Sequence, residues 1–293
     1  MQCNLVIIMP ALIGDCVMAI PLVNELTIHH KISIVCNDYT IKTFSFLFNN
    51  TKVVRLSSRS GNQEIIIDLL GNTKSINFIK QSNAKVLIGF PDTSYKYTHI
   101  LPLPFTYSEN QAPDIFLESL RYLNIQKPRF LNFNIAKIWS FKNQDLIFIA
   151  PGAGNLERCF SINSFIELAN QLSLIYEVRF ILGPSEQHLA KFINTEYEII
   201  ITNKIETTLN NISNARLLIV SEGGFMHIAA AYGIPLIGLF KIASPINWFP
   251  YSNPHQVAIG KGNNNYTNLL DYQDFPLNEI LSRTKELYED IKN

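Results

Sequence analysis

Leu146-Ile-Phe-Ile-Ala-Pro-Gly-Ala-Gly154 decides the fold class. Five apolar residues with no polar alternation read as a strand covered on both faces, as in a parallel sheet. Proline and three small residues then end it in a tight loop. Leu5-Val-Ile-Ile-Met-Pro10 repeats the pattern near the amino terminus, so each half of the chain opens alike. Further apolar runs follow at Ile32–Cys36, Glu64–Leu69 and Lys85–Ile88 in the first half. In the second they fall at Glu177–Leu182, Ile199–Thr202, Arg216–Val220 and Pro235–Phe240. Helical patterns separate them, which implies α/β architecture with two doubly wound, Rossmann-like domains. The apolar pattern lapses over Asn132–Asp145, so the domains are expected at 1–140 and 141–293. Their sheets are expected to face a central cleft, ligands binding outside the carboxyl ends of the strands. A last helix, Leu277–Lys292, is expected to pack back on the first domain.

Composition narrows the function classes. Apolar residues make up 47% of the 293, enough for two cores and too many for a disordered chain. Lys plus Arg equals Asp plus Glu at 24 each, so no global basic field exists to hold nucleic acid. The four cysteines form no C-x-x-C pair and no metal spacing with histidine, which reads as reduced thiols in a cytoplasmic protein. The apolar stretch Leu5–Val23 carries Pro10, Gly14, Asp15 and Pro21, and reads as strand, loop and helix rather than a membrane span.

Three segments carry candidate chemistry. In Ala11-Leu-Ile-Gly14-Asp15 a glycine offers a tight turn, and Asp15 reads either as a helix N-cap or as a general base. In Pro151-Gly152-Ala153-Gly154, followed by Arg158, small residues let backbone N–H groups face an anion that Arg158 grips; the alternative is a surface turn with a solvated arginine. In Glu222-Gly223-Gly224-Phe-Met-His227-Ile-Ala-Ala-Ala-Tyr-Gly233, paired glycines open a short Ala-rich helix, suited to a diphosphate. Met226, Ala229 and Ala230 are expected on the sheet. His227 reads as a structural residue or as a phosphate or sugar contact. No Asp-x-Asp, G-x-G-x-x-G, P-loop or G-x-S-x-G pattern is present. Leaving-group charge would therefore fall to Arg158, helix N-termini and His227.

Together these segments resemble the bacterial glycosyltransferase family 9, which contains the lipopolysaccharide heptosyltransferases. Leu12-Ile-Gly14-Asp15 approximates the family's Ala-Leu-Gly-Asp, and Asp68-Leu-Leu-Gly-Asn72-Thr-Lys-Ser75 its Asp-Leu-x-Gly-Asn-x-x-Ser. Pro151-Gly-Ala153 matches the opening of its second domain, and Arg158-Cys-Phe160-Ser161 stands where members have Lys-x-Trp-Pro. Glu222–Ala230 follows Asp-Thr-Gly-x-x-His-x-Ala-Ala, and Phe240–Tyr251 its Phe-Gly-x-Thr-x-Pro-x-x-x-x-Pro-Tyr segment.

The resemblance implies a GT-B fold with acceptor on the first domain and nucleotide sugar on the second. It implies metal-independent, inverting transfer, ADP-heptose being the usual donor, with no bound cofactor. Asp15 would be the general base. Gly152, Ala153, Gly154, Arg158, Glu186, Glu222, Gly223, Gly224 and His227 would hold the donor, Glu186 at its ribose and Glu222 at its sugar. Gly14, Asn72 and Lys74 fall on the acceptor side. Lys74, Lys96 and His99 read either as acceptor contacts, with variable loops such as Pro91–Asn110, or as solvated surface. The partners implied are a nucleotide sugar and an envelope glycan or glycolipid, with peripheral contact to the inner membrane and no nucleic acid. Glu222 for Asp, Gly223 for Thr, Arg158 for Lys and Met9 for a basic residue depart from the pattern. They leave a second reading open: a non-enzymatic nucleotide-sugar-binding relative.

Overall fold

A computed structural model describes residues 4–48, 51–58, 62–92, 94–102, 111–133, 135, 145–245, 247–251, 256–260 and 275–292. The chain divides into two units, Met1–Ile135 and Ala136–Asn293. Most of the 132–145 join and residues 103–110 of the expected acceptor loop lie outside the described residues.

The first unit holds β1 (Asn4–Ile8), β2 (Lys31–Cys36), β3 (Lys52–Arg55), β4 (Ile65–Asp68), β5 (Val86–Gly89) and β6 (His99–Ile100). They form one sheet in the order β3-β2-β1-β4-β5-β6, every pairing parallel. Its helices are α1 (Ile13–Met18), α2 (Ile20–His29), α3 (Ile41–Leu47), α4 (Thr73–Lys80) and α5 (Ala112–Leu117). The second unit holds β7 (Leu146–Ala150), β8 (Glu177–Leu182), β9 (Glu198–Ile201), β10 (Leu217–Ser221), β11 (Leu236–Leu239) and β12 (Gln256–Ile259). Their order is β12-β11-β10-β7-β8-β9, the same topology read from the other edge. Around them lie α6 (Ile162–Leu172), α7 (Ile205–Ile212), α8 (Gly224–Ala231) and α9 (Leu277–Lys292). Nine strands fall where apolar runs predict them.

Register explains why the central strands carry no polar alternation. Ile7 pairs with Ile34 and Ile67, and Ile149 with Ile219 and Phe180, so both strand faces lie under helices. All of β4, β7 and β10 is buried. Each buried Leu, Ile, Val or Phe among them stabilises by about 1.5–3 kcal/mol. The apolar stretch near the amino terminus resolves into β1, a loop, α1 and α2. Pro21 sits in the first turn of α2, where its missing N–H costs nothing. No helix among the described residues is long and apolar enough to cross a membrane.

The carboxyl-terminal helix α9 contributes to the core of the second unit. Ile280 and Leu287 enter that core beside Phe165 and Leu168. Arg216, 1% exposed, lays its guanidinium 3.7 Å from the Tyr288 ring centre and donates to the Tyr288 carbonyl at 2.7 Å.

Candidate active site

Each sheet reverses its strand order at one place, between β1 and β4 in the first unit and between β7 and β10 in the second. Open α/β sheets bind ligands at the carboxyl ends of the strands there. The four motifs beginning at Ala11, Asp68, Pro151 and Glu222 follow those four strands.

In the second unit the loops after β7 and β10 are fitted together. Ser221 Oγ donates to the Pro151 carbonyl at 2.8 Å. A Cβ on Gly223 would stand 3.8 Å from that of Ala153, at ordinary van der Waals distance, so the two loops lie side by side. The loop after β7 folds back on itself where Ala153 N donates to Cys159 Sγ at 3.1 Å. Gly152 leaves room for the Glu186 side chain, whose Cγ a Cβ there would meet at 2.1 Å, and a Cβ on Gly183 would meet its carboxylate Oε2 at 2.6 Å. Glu186 is buried, with Ser185 Oγ donating to Oε1 at 2.7 Å. Gly154 has open space around it.

Glu222 is 1% exposed, and its carboxylate is held by backbone N–H groups of a distant loop. Oε1 accepts from the backbone N–H of Lys241, Ile242 and Ala243 at 3.1, 2.8 and 3.2 Å, and Oε2 accepts from Ala243 at 3.0 Å. The longer side chain of Glu reaches across to the exit of β11 and clamps it; these charge-assisted bonds compensate burial of the charge. Its own turn keeps its donors: Gly223 and Gly224 have no N–H acceptor among the described residues. Those amides open α8, where the helix dipole favours an anion.

The helix that follows is built as its sequence predicts. Met226, Ala229 and Ala230 are fully buried, and a Cβ on Gly238 of β11 would meet Met226 Sδ at 2.6 Å. Gly233 adopts φ +76, and the N–H groups of Gly233 and Ile234 return to the carbonyls of Ala230 and Ala229, closing a Schellman end. His227 is 4% exposed and its Nδ1 has no partner among the described residues. Burial, reinforced by the Arg158 charge, pushes its pKa down to about 3. It is therefore neutral at pH 7 and brings hydrogen-bonding capacity, not positive charge. Arg158 itself is half-buried, with no carboxylate paired to it among the described residues.

In the first unit Asp15 is not the N-cap of α1. That position is Leu12, and Asp15 occupies the first helical turn, half-buried, where the helix terminus favours a carboxylate. Gly14 is buried inside α1 and makes no turn; residues 10–12 do that. Sequence reasoning missed Asn37, whose Nδ2 donates to the Ala11 carbonyl at 2.8 Å while Oδ1 accepts from Tyr39 N and Thr40 N, both at 2.9 Å. It ties the loop leading to Asp15 to the loop after β2. Its one signal is an amide directly after a buried strand.

The Asp68–Ser75 motif is occupied with its own turn. Buried Asp68 accepts from Leu70 N and Gly71 N through Oδ1 and from Tyr97 Oη through Oδ2, at 2.9, 3.1 and 2.7 Å. Gly71 takes φ +58, which glycine allows at no steric cost. Asn72 and Ser75 form a reciprocal capping box on α4. Lys74 and Lys96 are exposed. His99 is half-buried against Tyr122, with ring centres 4.7 Å apart. Among the described residues, no group of three His, Cys, Asp or Glu side chains is arranged to hold a metal.

Residues 54–275 match the family model described as glycosyltransferase family 9 (heptosyltransferase). The chain belongs to this family. As a family 9 member it is a glycosyltransferase. Solved structures agree on the fold. The glycosyl transferase family 9 protein of Veillonella parvula shares 16% identity at TM-score 0.77, over 99% of this chain and 98% of its own. The E. coli heptosyltransferase WaaC, solved with ADP-2-deoxy-2-fluoro heptose, shares 16% at TM-score 0.72, over 97% and 99%. The E. coli ADP-heptose lps heptosyltransferase II shares 15% at TM-score 0.68, over the whole of both chains. These likenesses make the family 9 chain a GT-B protein. No curated protein matches it by sequence.

Proposed function

We propose that the chain transfers heptose from ADP-heptose to a bacterial envelope glycan such as lipopolysaccharide core, with inversion and without a metal. The observation that carries this reading is the open pair of amides at Gly223 and Gly224, set against the Gly152–Gly154 loop and Arg158. Those groups suit a diphosphate, and Glu186 at the end of β8 suits the hydroxyls of a ribose. Two family likenesses, the WaaC structures solved with ADP and with an ADP-heptose analogue, support ADP as the nucleotide. Neutral His227 contributes a hydrogen bond to phosphate or sugar.

In the first domain the Asp15 carboxylate takes the proton of an acceptor hydroxyl. That oxygen attacks the anomeric carbon as the bond to the diphosphate oxygen breaks, on the opposite face. The charge building on the leaving diphosphate is met by Arg158, the loop amides and the amino end of α8, which makes a divalent ion dispensable. Gly14, Asn72 and Lys74 line the acceptor side. A nucleotide-sugar donor places the enzyme in the cytoplasm, with a glycolipid acceptor drawing it to the inner membrane face.

The test is a transfer assay from ADP-heptose to isolated core glycans, with wild type and Asp15→Asn compared. Loss of a general base lowers turnover by about 10³-fold, with donor affinity retained. Wild-type turnover in Asp15→Asn excludes this base.

A further inference from the structure

With His227 neutral, the donor reading of the second unit leaves Arg158 as the one full positive charge so far assigned to a diphosphate. A second cation reaches the same loop from β11. Lys241 directly follows Phe240, and its backbone is fixed by the buried Glu222 carboxylate. Its side chain is exposed at the surface, yet its ammonium is directed: Nζ donates to the Cys159 carbonyl at 2.8 Å and lies 5.8 Å from the Phe160 ring centre. Cys159 adjoins Arg158 and closes the Gly152–Gly154 loop through its sulfur. Lys241 thus joins the exit of β11 to the anion-facing loop after β7.

An ammonium has three donors, and the bond to Cys159 uses one of them on a neutral oxygen. Among the described residues no carboxylate is paired with Lys241 or with Arg158. Two cations bordering one loop, with unpaired amides opposite, make a site whose missing member is an anion of more than one charge. We propose that Lys241 is a second phosphate-binding cation of the donor site, acting with Arg158 on the diphosphate. The proposal rests on the donor-site reading above and adds a residue to it. In the resting protein Lys241 is parked on the Cys159 carbonyl. When the donor binds, the ammonium turns a free donor, or exchanges that carbonyl, toward a phosphate oxygen, a charge-assisted bond stronger than the neutral one it replaces.

Calorimetric titration of the full chain with ADP, UDP, GDP and CDP identifies the tightest diphosphate; that nucleotide and its monophosphate are then titrated into Lys241→Met and Lys241→Arg. The expected result for Lys241→Met is a diphosphate affinity weaker by about 30-fold, since a bond to a charged group is lost. Its monophosphate affinity changes by less than about 3-fold, and Lys241→Arg recovers most of the difference. The unfolding temperature of the free Lys241→Met protein stays near that of wild type. Equal weakening of monophosphate and diphosphate, or a large fall in unfolding temperature, makes Lys241 a mere pin for the loop and overturns the proposal. Wild-type diphosphate affinity in Lys241→Met overturns it alone and leaves the donor site standing. A wild type that binds none of the four diphosphates removes both.

Discussion

Asp68 and Glu222 stand at equivalent places in two sheets of equal topology, each at the carboxyl end of the strand beside the switch point. Both carboxylates are buried, and both accept backbone N–H bonds. They differ in whose. Asp68 takes the amides two and three residues ahead, and so satisfies its own turn. Glu222, one methylene longer, passes over its own turn and takes the amides of residues 241–243. The first turn is closed and leads into a self-capped helix. The second is left with open donors at Gly223 and Gly224. One scaffold thus yields a closed turn or a turn with open donors according to where a single carboxylate reaches.

Breaking that reach has the largest expected effect. Glu222→Ala removes the charged acceptor of three backbone N–H groups and should lower unfolding free energy by about 3 kcal/mol in denaturant titration, with diphosphate binding lost as β11's exit loosens. A loss below about 0.5 kcal/mol, the size of an ordinary surface substitution, contradicts the clamp.

The buried imidazole gives the next effect. His227 titrates near 6.5 when unfolded and near 3 when folded. Between these values the unfolded chain holds a proton that the folded one lacks. Stability is therefore unaffected above pH 6.5 and falls below it, by up to about 1.4 kcal/mol per pH unit. His227→Gln should flatten the curve of unfolding free energy against pH from 6.5 to 4. An unchanged slope shows that other groups set it.

In the first unit, Asn72→Ala should cost about 1 kcal/mol, the usual value of an N-cap, whereas Asn72→Asp keeps an oxygen acceptor and most of that stability. Equal losses in the two variants contradict the capping role.

The sequence made the centre of each sheet legible and left its edges dark. β1, β4, β7 and β10 are apolar at nearly every position because both faces are covered. The strands missed were β3, β6 and β12, all edge strands. Lys52–Arg55 begins and ends in an exposed charge, His99–Ile100 is two residues long, and Gln256–Ile259 opens on a polar side chain. Edge β9 was legible only through its three consecutive isoleucines.

At the site, small residues after apolar strands marked the paired loops that follow β7 and β10. Side chains acting on distant backbone left no pattern: Asn37 reaches Ala11 across 26 positions, Lys241 reaches Cys159 across 82, and Glu222 reaches Ile242 across 20. Nothing local to Glu222 signals that its carboxylate takes backbone partners after the next strand. Asp15 was ambiguous for the opposite reason. Its place three residues past Leu12, inside the first turn, cannot be separated from a cap position by composition alone.

The open amides at Gly223 and Gly224 are the centre of the proposed donor site for a nucleoside diphosphate sugar. The direct measurement is thermal unfolding of the chain with ADP-heptose, beside UDP-, GDP- and CMP-sugars, without magnesium. At about 100 times its dissociation constant ADP-heptose should add roughly 2.7 kcal/mol of stability, while the other sugars add little. Unfolding unmoved by any of them, with or without magnesium, contradicts the donor site.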